Sequence, residues 1–181
     1  MKRILNGFLM GGIVLLAAES LCAQNQYVGV KMCSPCHKTD KQGKQFDIWQ
    51  KSKHSGAYKT LTTPKADEIA KSKGFSTAAA ETKECLECHT VTGDAKMFAK
   101  TFDAKDGVQC EKCHNAGSAY KTLTIMKDKA KSVAAGLREF KDDAAIETFC
   151  KTCHNEKSPT FEEFKFKEQW ASIKHSVPKG R

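Results

Sequence analysis

The segment CSPCH, residues 33–37, carries two cysteines three positions apart and a histidine directly after the second. The same Cys-x-x-Cys-His pattern occurs three more times: CLECH at 85–89, CEKCH at 110–114 and CKTCH at 150–154. One such pattern could arise by chance. Four of them in a chain of 181 residues, each with its histidine, indicate a shared chemical purpose.

Cys-x-x-Cys-His is the attachment signature of c-type haem. The two thiols form thioethers with the vinyl groups of one porphyrin, and the histidine binds its iron as the proximal ligand. Zinc sites do not require a histidine after every second cysteine, and a disulfide within a motif would close only a very small loop. The sequence therefore predicts four covalently bound haem c groups. The predicted thioether residues are Cys33, Cys36, Cys85, Cys88, Cys110, Cys113, Cys150 and Cys153, and the proximal ligands are His37, His89, His114 and His154.

Two of the six histidines lie outside the motifs, and both stand in the pattern Trp, four residues, His-Ser. His54 lies in FDIWQKSKHSGAYKTL (46–61) and His175 in QWASIKHSVPKG (169–180). A low-spin electron-transfer haem needs a second axial ligand, so we predict both as distal ligands.

Six histidines fill only six of the eight axial positions of four irons, which leaves two haems without a distal histidine. The candidates for those positions are Met32, Met97 or Met126, a lysine, a tyrosine, or water. An iron with an open position would bind small molecules such as NO or CO.

The first 23 residues have the features of a secretory signal peptide, with Lys2 and Arg3 before an apolar run and a small residue at Ala23. The apolar run is shorter than the ~20 residues that span a bilayer, and the bulky Leu21 disfavours lipid attachment at Cys22. We therefore expect cleavage after Ala23, a tetrahaem domain over residues 24–181, no membrane span in the mature chain, and a periplasmic or otherwise exported location.

The composition favours a mainly α fold in which haems form most of the core, with little or no β structure. Only 40% of residues are apolar, too few to offset the entropy of folding with side chains alone. Helices are predicted in KQFDIWQKSK (44–53), around residues 65–84, in one or two pieces over 126–150, and in FEEFKFKEQWASIK (161–174). Val133, Leu137 and Phe140 recur at helical spacing.

Three segments resemble the cytochrome c-554 family and its multihaem relatives: YVGVKMCSPCH (27–37), GVQCEKCHNAGSAY (107–120) and CHNEKSPTFEEFKFKEQWASIKHSVP (153–178). The similarity runs over nearly the whole mature chain. It implies a mostly α-helical fold around closely packed haem pairs and a periplasmic electron-transfer role; founding members accept electrons from hydroxylamine oxidation. It also implies that one haem lacks a distal ligand.

The chain departs from its relatives at one place. They commonly carry a histidine shortly after the third motif, whereas Tyr120 stands there in this chain. The resemblance therefore implies that a second haem has lost its usual distal ligand, to be replaced by Tyr120, a lysine or a methionine, or left open.

The formal net charge of +9 comes from dispersed lysines; only Arg138 and Arg181 follow the first 23 residues as arginines. Export makes nucleic acid an implausible partner, and the lysines would balance haem propionates and face acidic redox proteins. We therefore predict a periplasmic carrier that passes electrons between redox proteins, with no catalytic residues of its own. The alternatives are reduction of NO or another nitrogen oxide at an open haem, and a subunit role in a larger multihaem assembly.

Overall fold

The structure is a computed structural model that describes residues 24–176. Ten α-helices and three short 3-10 turns account for its regular secondary structure. The helices are α1 Val30–His37, α2 Gln45–Lys51, α3 Ala57–Leu61, α4 Pro64–Ser72, α5 Lys83–His89, α6 Cys110–His114, α7 Leu123–Met126, α8 Lys129–Ala134, α9 Asp143–Cys150 and α10 Phe166–Ile173. The 3-10 turns are Asp40–Gln42, Ala95–Met97 and Ala104–Asp106.

The predicted mainly α fold is confirmed. Over the described part of the chain, the only β feature is an isolated parallel bridge between Tyr27 and Phe98. Between residues 24 and 176, no helix combines the length and apolar character needed to cross a membrane. The predicted signal peptide, residues 1–23, lies outside the described residues.

All four haem motifs lie on or directly after helices. The first three end α1, α5 and α6, whose last residues are His37, His89 and His114. The fourth begins at Cys150, the last residue of α9, and continues as a turn in which the His154 N–H donates to the Cys150 carbonyl at 2.9 Å. Residues three apart on one helical turn lie on the same face, so the two thiols of a motif can reach one porphyrin edge.

The predicted helices are present, although shorter than the sequence pattern indicated. The segments before His54 and His175 form α2 and α10, and the region before the fourth motif forms α8 and α9. Helix α8 ends at Ala134, before Leu137 and Phe140, because the Leu137 N–H turns back to the Ser132 carbonyl at 3.0 Å and closes the helix.

Among residues 24–176, few large apolar side chains are buried. The largest side chains that are almost completely buried are polar ones: Gln109, Glu111, Thr90 and Ser132. The main apolar cluster consists of Leu61 with Ala66, Ala70 and Ala79. A core of this kind buries little apolar area per residue, and apolar area is the principal stabilising term in folding. This is consistent with large macrocycles being packed between the helices.

Candidate haem-binding sites

Each histidine outside the motifs lies beside a histidine of a motif. The ring centroids of His54 and His154 are 6.1 Å apart, and those of His175 and His114 are 5.9 Å apart. Two imidazoles bound at about 2 Å on opposite sides of one metal ion have ring centres about 6 Å apart. The third and fourth motifs therefore each have a pair of histidines at the spacing that one iron requires.

The histidines of the first two motifs are oriented by hydrogen bonds at Nδ1. His37 Nδ1 lies 3.2 Å from Gln45 Oε1, and His89 Nδ1 lies 2.7 Å from the Ala57 carbonyl oxygen. An Nδ1–H that donates to such an acceptor fixes the ring orientation and makes Nε2 the metal-binding nitrogen, which is the usual arrangement around metal-bound histidine. Gln45 and Ala57 lie in no recognisable motif, so this role could not be predicted from local sequence patterns.

Two of the paired histidines are held in the neutral form. Burial, with a further contribution from His175, lowers the pKa of His114 to about 4. Burial and then the neighbouring His154 also lower the pKa of His54. Neutral imidazole is the form that binds metal ions, so both rings are ready for ligation at neutral pH.

The motifs approach each other in an order that differs from their order in the chain. The Cys33 thiol of the first motif hydrogen-bonds to Cys110 of the third, which raises the pKa of Cys33 and lowers that of Cys110. A hydrogen bond also joins Cys88 of the second motif to Cys153 of the fourth, which raises the pKa of Cys88 and lowers that of Cys153. All eight motif cysteines are free thiols. Their sulfur atoms thus mark two spatial pairs, first with third and second with fourth.

A buried carboxylate joins the first motif to the third. Glu111, the residue after Cys110, is 2% exposed. Its side-chain oxygens accept hydrogen bonds from the backbone N–H groups of Val28 (2.9 Å), Gly29 (2.7 Å) and Gly117 (2.7 Å). Two of these donors lie just before α1, so Glu111 satisfies N–H groups at its start that have no partner within the helix.

Gln109 extends this connection. Its Oε1 accepts from the Val30 N–H at 2.7 Å and its Nε2 donates to the Asp103 carbonyl at 2.7 Å. Glu111 lies inside a haem motif, and the second motif also contains a glutamate, the exposed Glu87. Only the fold distinguishes the buried Glu111 from the exposed Glu87. The role of Glu111 in joining two motifs could therefore not be predicted from the sequence.

Arg138 joins the third motif to the fourth. Its guanidinium lies over the Phe149 ring, 4.5 Å from the centroid, and Nη1 donates to the Lys112 carbonyl at 3.3 Å. Its backbone N–H donates to the His114 carbonyl at 3.1 Å. Arginine can stack on an aromatic ring and donate hydrogen bonds at once, and here it fixes the helix before Cys150 against the third motif.

The two tryptophans of the Trp-x4-His-Ser pattern have different surroundings. Trp49 Nε1 donates to the Val108 carbonyl at 2.8 Å, and the Val108 N–H donates to the His54 carbonyl at 2.9 Å. Together these bonds hold the His54 turn against the segment that enters the third motif. Trp170 stacks on Phe166 with an interplanar angle of 9°.

The indole N–H of Trp170 is buried and has no hydrogen-bond partner among the described residues. A buried polar group of this kind normally has a partner. Trp170 lies five residues before His175, and a haem propionate is an acceptor of suitable chemistry. Together with the histidine spacings, the free thiols and the small buried core, this orphan donor fits haem bound between the helices.

His89 of the second motif is paired with neither His54 nor His175. At the second motif, Cys85 and Leu86 pack against the apolar cluster of Leu61, Ala66, Ala70 and Ala79. Met97 has its Sδ against Gly93, since a Cβ built on that glycine would lie 3.0 Å from the sulfur.

Tyr120 is 7% exposed. Its hydroxyl lies 2.7 Å from the Asn115 carbonyl oxygen and 3.1 Å from that of His114. The hydroxyl therefore donates to the backbone of the third motif. Burial raises the pKa of this phenol, which disfavours the tyrosinate form.

Comparison with known proteins gives two matches. The family model described as cytochrome c554 and c-prime matches residues 32–115, which contain the first three motifs but not the fourth. Cytochrome c-554 of Nitrosomonas europaea is 28% identical over 153 residues, covering 77% of this chain and 62% of the relative. The chain thus spans less than two thirds of that protein's length. No solved structure matches the chain.

Proposed function

Because the chain belongs to the cytochrome c-554 family of c-type electron-transfer cytochromes, we propose that it is an exported tetrahaem electron carrier. The observation that carries this proposal is the placement of His54 and His175 at 6.1 and 5.9 Å from motif histidines. That spacing suits bis-histidine iron, whose closed coordination favours electron transfer over binding of small molecules.

In this proposal the chain's own residues position the haems. The cysteine pairs fix one porphyrin edge at each motif, while Gln45 and the Ala57 carbonyl aim the Nε2 atoms of His37 and His89. Glu111 and Arg138 connect neighbouring motifs through the contacts described above. When bound, each haem supplies an iron that accepts and releases one electron. Contacts between motifs keep the haems close enough for electrons to pass through the protein.

The number of haems is tested by the mass of the mature protein. We expect the chain produced with a c-type cytochrome maturation system to begin at Gln24 and to exceed its polypeptide mass by four haems. Intact-protein mass spectrometry and haem quantification per chain measure this directly. The double variant Cys150→Ala, Cys153→Ala should carry three haems. A wild-type chain with three or fewer haems would contradict the proposal.

We also propose that redox partners dock near the fourth motif of this chain. The surface that each partner presents there would be acidic. A surface cavity of 460 Å³ there is lined by two lysines and one glutamate around apolar and polar side chains: Lys151, His154, Asn155, Glu156, Lys157, Phe161 and Phe164. Lys151 is paired with Glu147 at 2.6 Å, whereas Lys157 is exposed at the rim. Exposed cations at a redox centre raise the encounter rate with anionic partners.

Lys157→Glu tests this docking site. Oxidation of the reduced protein by anionic ferricyanide should become slower by about threefold to tenfold at low ionic strength, since one favourable charge is reversed. The difference should shrink as salt is added. Stopped-flow absorbance at the haem Soret band gives the rates, and Lys71→Glu on α4 makes the same charge change elsewhere. Equal rates for the two variants would reject the docking site.

A second candidate function is the reduction of NO at the second haem. It is favoured by one observation: the two distal histidines lie at the third and fourth motifs, so His89 has no histidine opposite it. An iron held by His89 alone would be open to diatomic ligands. Turnover of NO by the reduced protein would support this activity, and CO binding without turnover would leave the carrier function alone.

A further inference from the structure

We propose that Arg138 raises the reduction potential of the third haem by holding a positive charge beside the motif that binds it. This inference rests on the proposed function, because it requires a haem attached at Cys110 and Cys113 with its iron on His114. It goes beyond the structural role of Arg138 in connecting the third motif to the fourth.

The guanidinium of Arg138 is fixed against the third motif. Its Nη1 donates at 3.3 Å to the carbonyl of Lys112, which lies between the two cysteines of that motif. The backbone N–H of Arg138 donates to the His114 carbonyl at 3.1 Å. On its other side the guanidinium lies over the Phe149 ring, 4.5 Å from the centroid. Backbone and side chain of Arg138 are thus both tied to α6, the short helix that carries the iron ligand.

The charge of Arg138 is not neutralised by a neighbouring carboxylate. Within residues 24–176 the cation of every ion pair is a lysine. Glu139, the acidic residue next to Arg138 in the chain, is paired with Lys129 instead. An arginine stays protonated at every ordinary pH, and a half-buried charge is screened less than an exposed one. The guanidinium therefore acts on its surroundings as a full positive charge.

The field of Arg138 reaches the third motif rather than the fourth. Burial and the neighbouring Cys150 raise the pKa of Cys113 to about 11, and Arg138 acts in the opposite direction. Burial lowers the pKa of His114, and Arg138 adds to this effect. Arg138 does not contribute to the pKa of Cys150 or of His154. This agrees with the hydrogen bonds, which place the guanidinium on α6.

The other charged residues of the third motif point elsewhere. Glu111 turns its carboxylate to backbone N–H groups at the start of α1, on the side of the first motif. Lys112 extends its ammonium to the Glu87 carbonyl of the second motif. Arg138 is thus the cation whose polar contacts both lie on the third motif.

A fixed cation beside an iron favours the ferrous state, because that state carries one positive charge less than the ferric state. The reduction potential of the haem therefore rises. The third and fourth motifs each have two histidines at the spacing of one iron, so the ligands alone give no difference between them. A charge beside only one of these haems separates their potentials, and electrons shared by the two reside mainly on the third.

The test is a potentiometric titration of haem-loaded variants whose haem content has first been shown to equal that of the wild type. Arg138→Met keeps an apolar side chain beside Phe149 but removes the charge. At a fixed ambient potential, the ratio of reduced to oxidised iron at one haem should fall by about threefold to tenfold, or about 30–60 mV for one electron. Arg138→Lys should keep most of the wild-type potential. Lys71→Met, which removes an exposed cation of α4, should shift no haem.

The variant Cys150→Ala, Cys153→Ala, which lacks the fourth haem, identifies the haem that shifts. Adding Arg138→Met to that variant should lower one potential by the same factor. The proposal is overturned if Arg138→Met shifts no haem, if Arg138→Lys lowers the potential equally, or if the shift disappears together with the fourth haem. Four haems in the wild type with any of these results reject the role of Arg138 and leave the tetrahaem carrier intact.

Discussion

Replacing Glu111 with alanine is expected to lower the free energy of unfolding of the haem-loaded protein by about 3–5 kcal/mol. The buried carboxylate accepts hydrogen bonds from the N–H groups of Val28, Gly29 and Gly117. Each buried donor left without an acceptor costs about 1–3 kcal/mol. The loss also releases the start of α1 from the third motif, so the first and third haems should no longer be held together.

Denaturant unfolding followed by the haem Soret band and by far-UV circular dichroism measures this effect. Glu87→Ala is a matched control, because it removes an exposed carboxylate inside another haem motif and should change stability by less than about 0.5 kcal/mol. Glu111→Gln keeps one acceptor oxygen but places an amide NH₂ among N–H donors. The stability of this variant should fall between those of Glu111→Ala and Glu87→Ala. Equal stability of Glu111→Ala and Glu87→Ala would show that the buried contacts contribute nothing.

The second large effect is expected for Gly107→Ala, at about 3–5 kcal/mol. Gly107 has φ +77° and ψ −145°, a backbone region that is almost restricted to glycine. A Cβ at this position would lie 2.5 Å from the His54 carbonyl oxygen and 2.9 Å from that of Ser55. The methyl group therefore forces the His54 turn away from the segment that holds it, and His54 away from His154.

Two measurements separate the steric effect from the backbone effect. Gly74→Ala is the control, since Gly74 also has positive φ (+84°) but a Cβ there would meet nothing within 4 Å; it should cost about 1–2 kcal/mol. Electron paramagnetic resonance of the ferric protein should show a new high-spin haem in Gly107→Ala and none in Gly74→Ala. If both variants keep a fully low-spin fourth haem, then Gly107 does not position His54.

Periodicity and motif spacing predicted much of the fold. The amphipathic segments before His54 and His175 indicated helices that the structure confirms as α2 and α10, and the lack of alternating patterns correctly indicated little β structure. The cysteine spacing also named candidate ligands. These features are local, because they depend on residues close together in the chain.

The remaining features depend on contacts between distant segments, which local patterns do not encode. His54 meets the fourth motif rather than its chain neighbours because the Trp49 indole and the Val108 amide hold its turn in place. The second and third motifs are close in sequence, and Lys112 donates to the Glu87 carbonyl at 2.7 Å. The thiol contacts nevertheless join the second motif to the fourth.

The motifs that lie together in space are not neighbours in the chain: the first lies beside the third, and the second beside the fourth. Each thiol contact joins one motif from the first half of the chain to one from the second, Cys33 to Cys110 and Cys88 to Cys153. Any cut between residues 89 and 110 would separate both pairs at once. Each of the first two motifs therefore meets its spatial partner only in the second half of the chain, so neither half contains a complete pair.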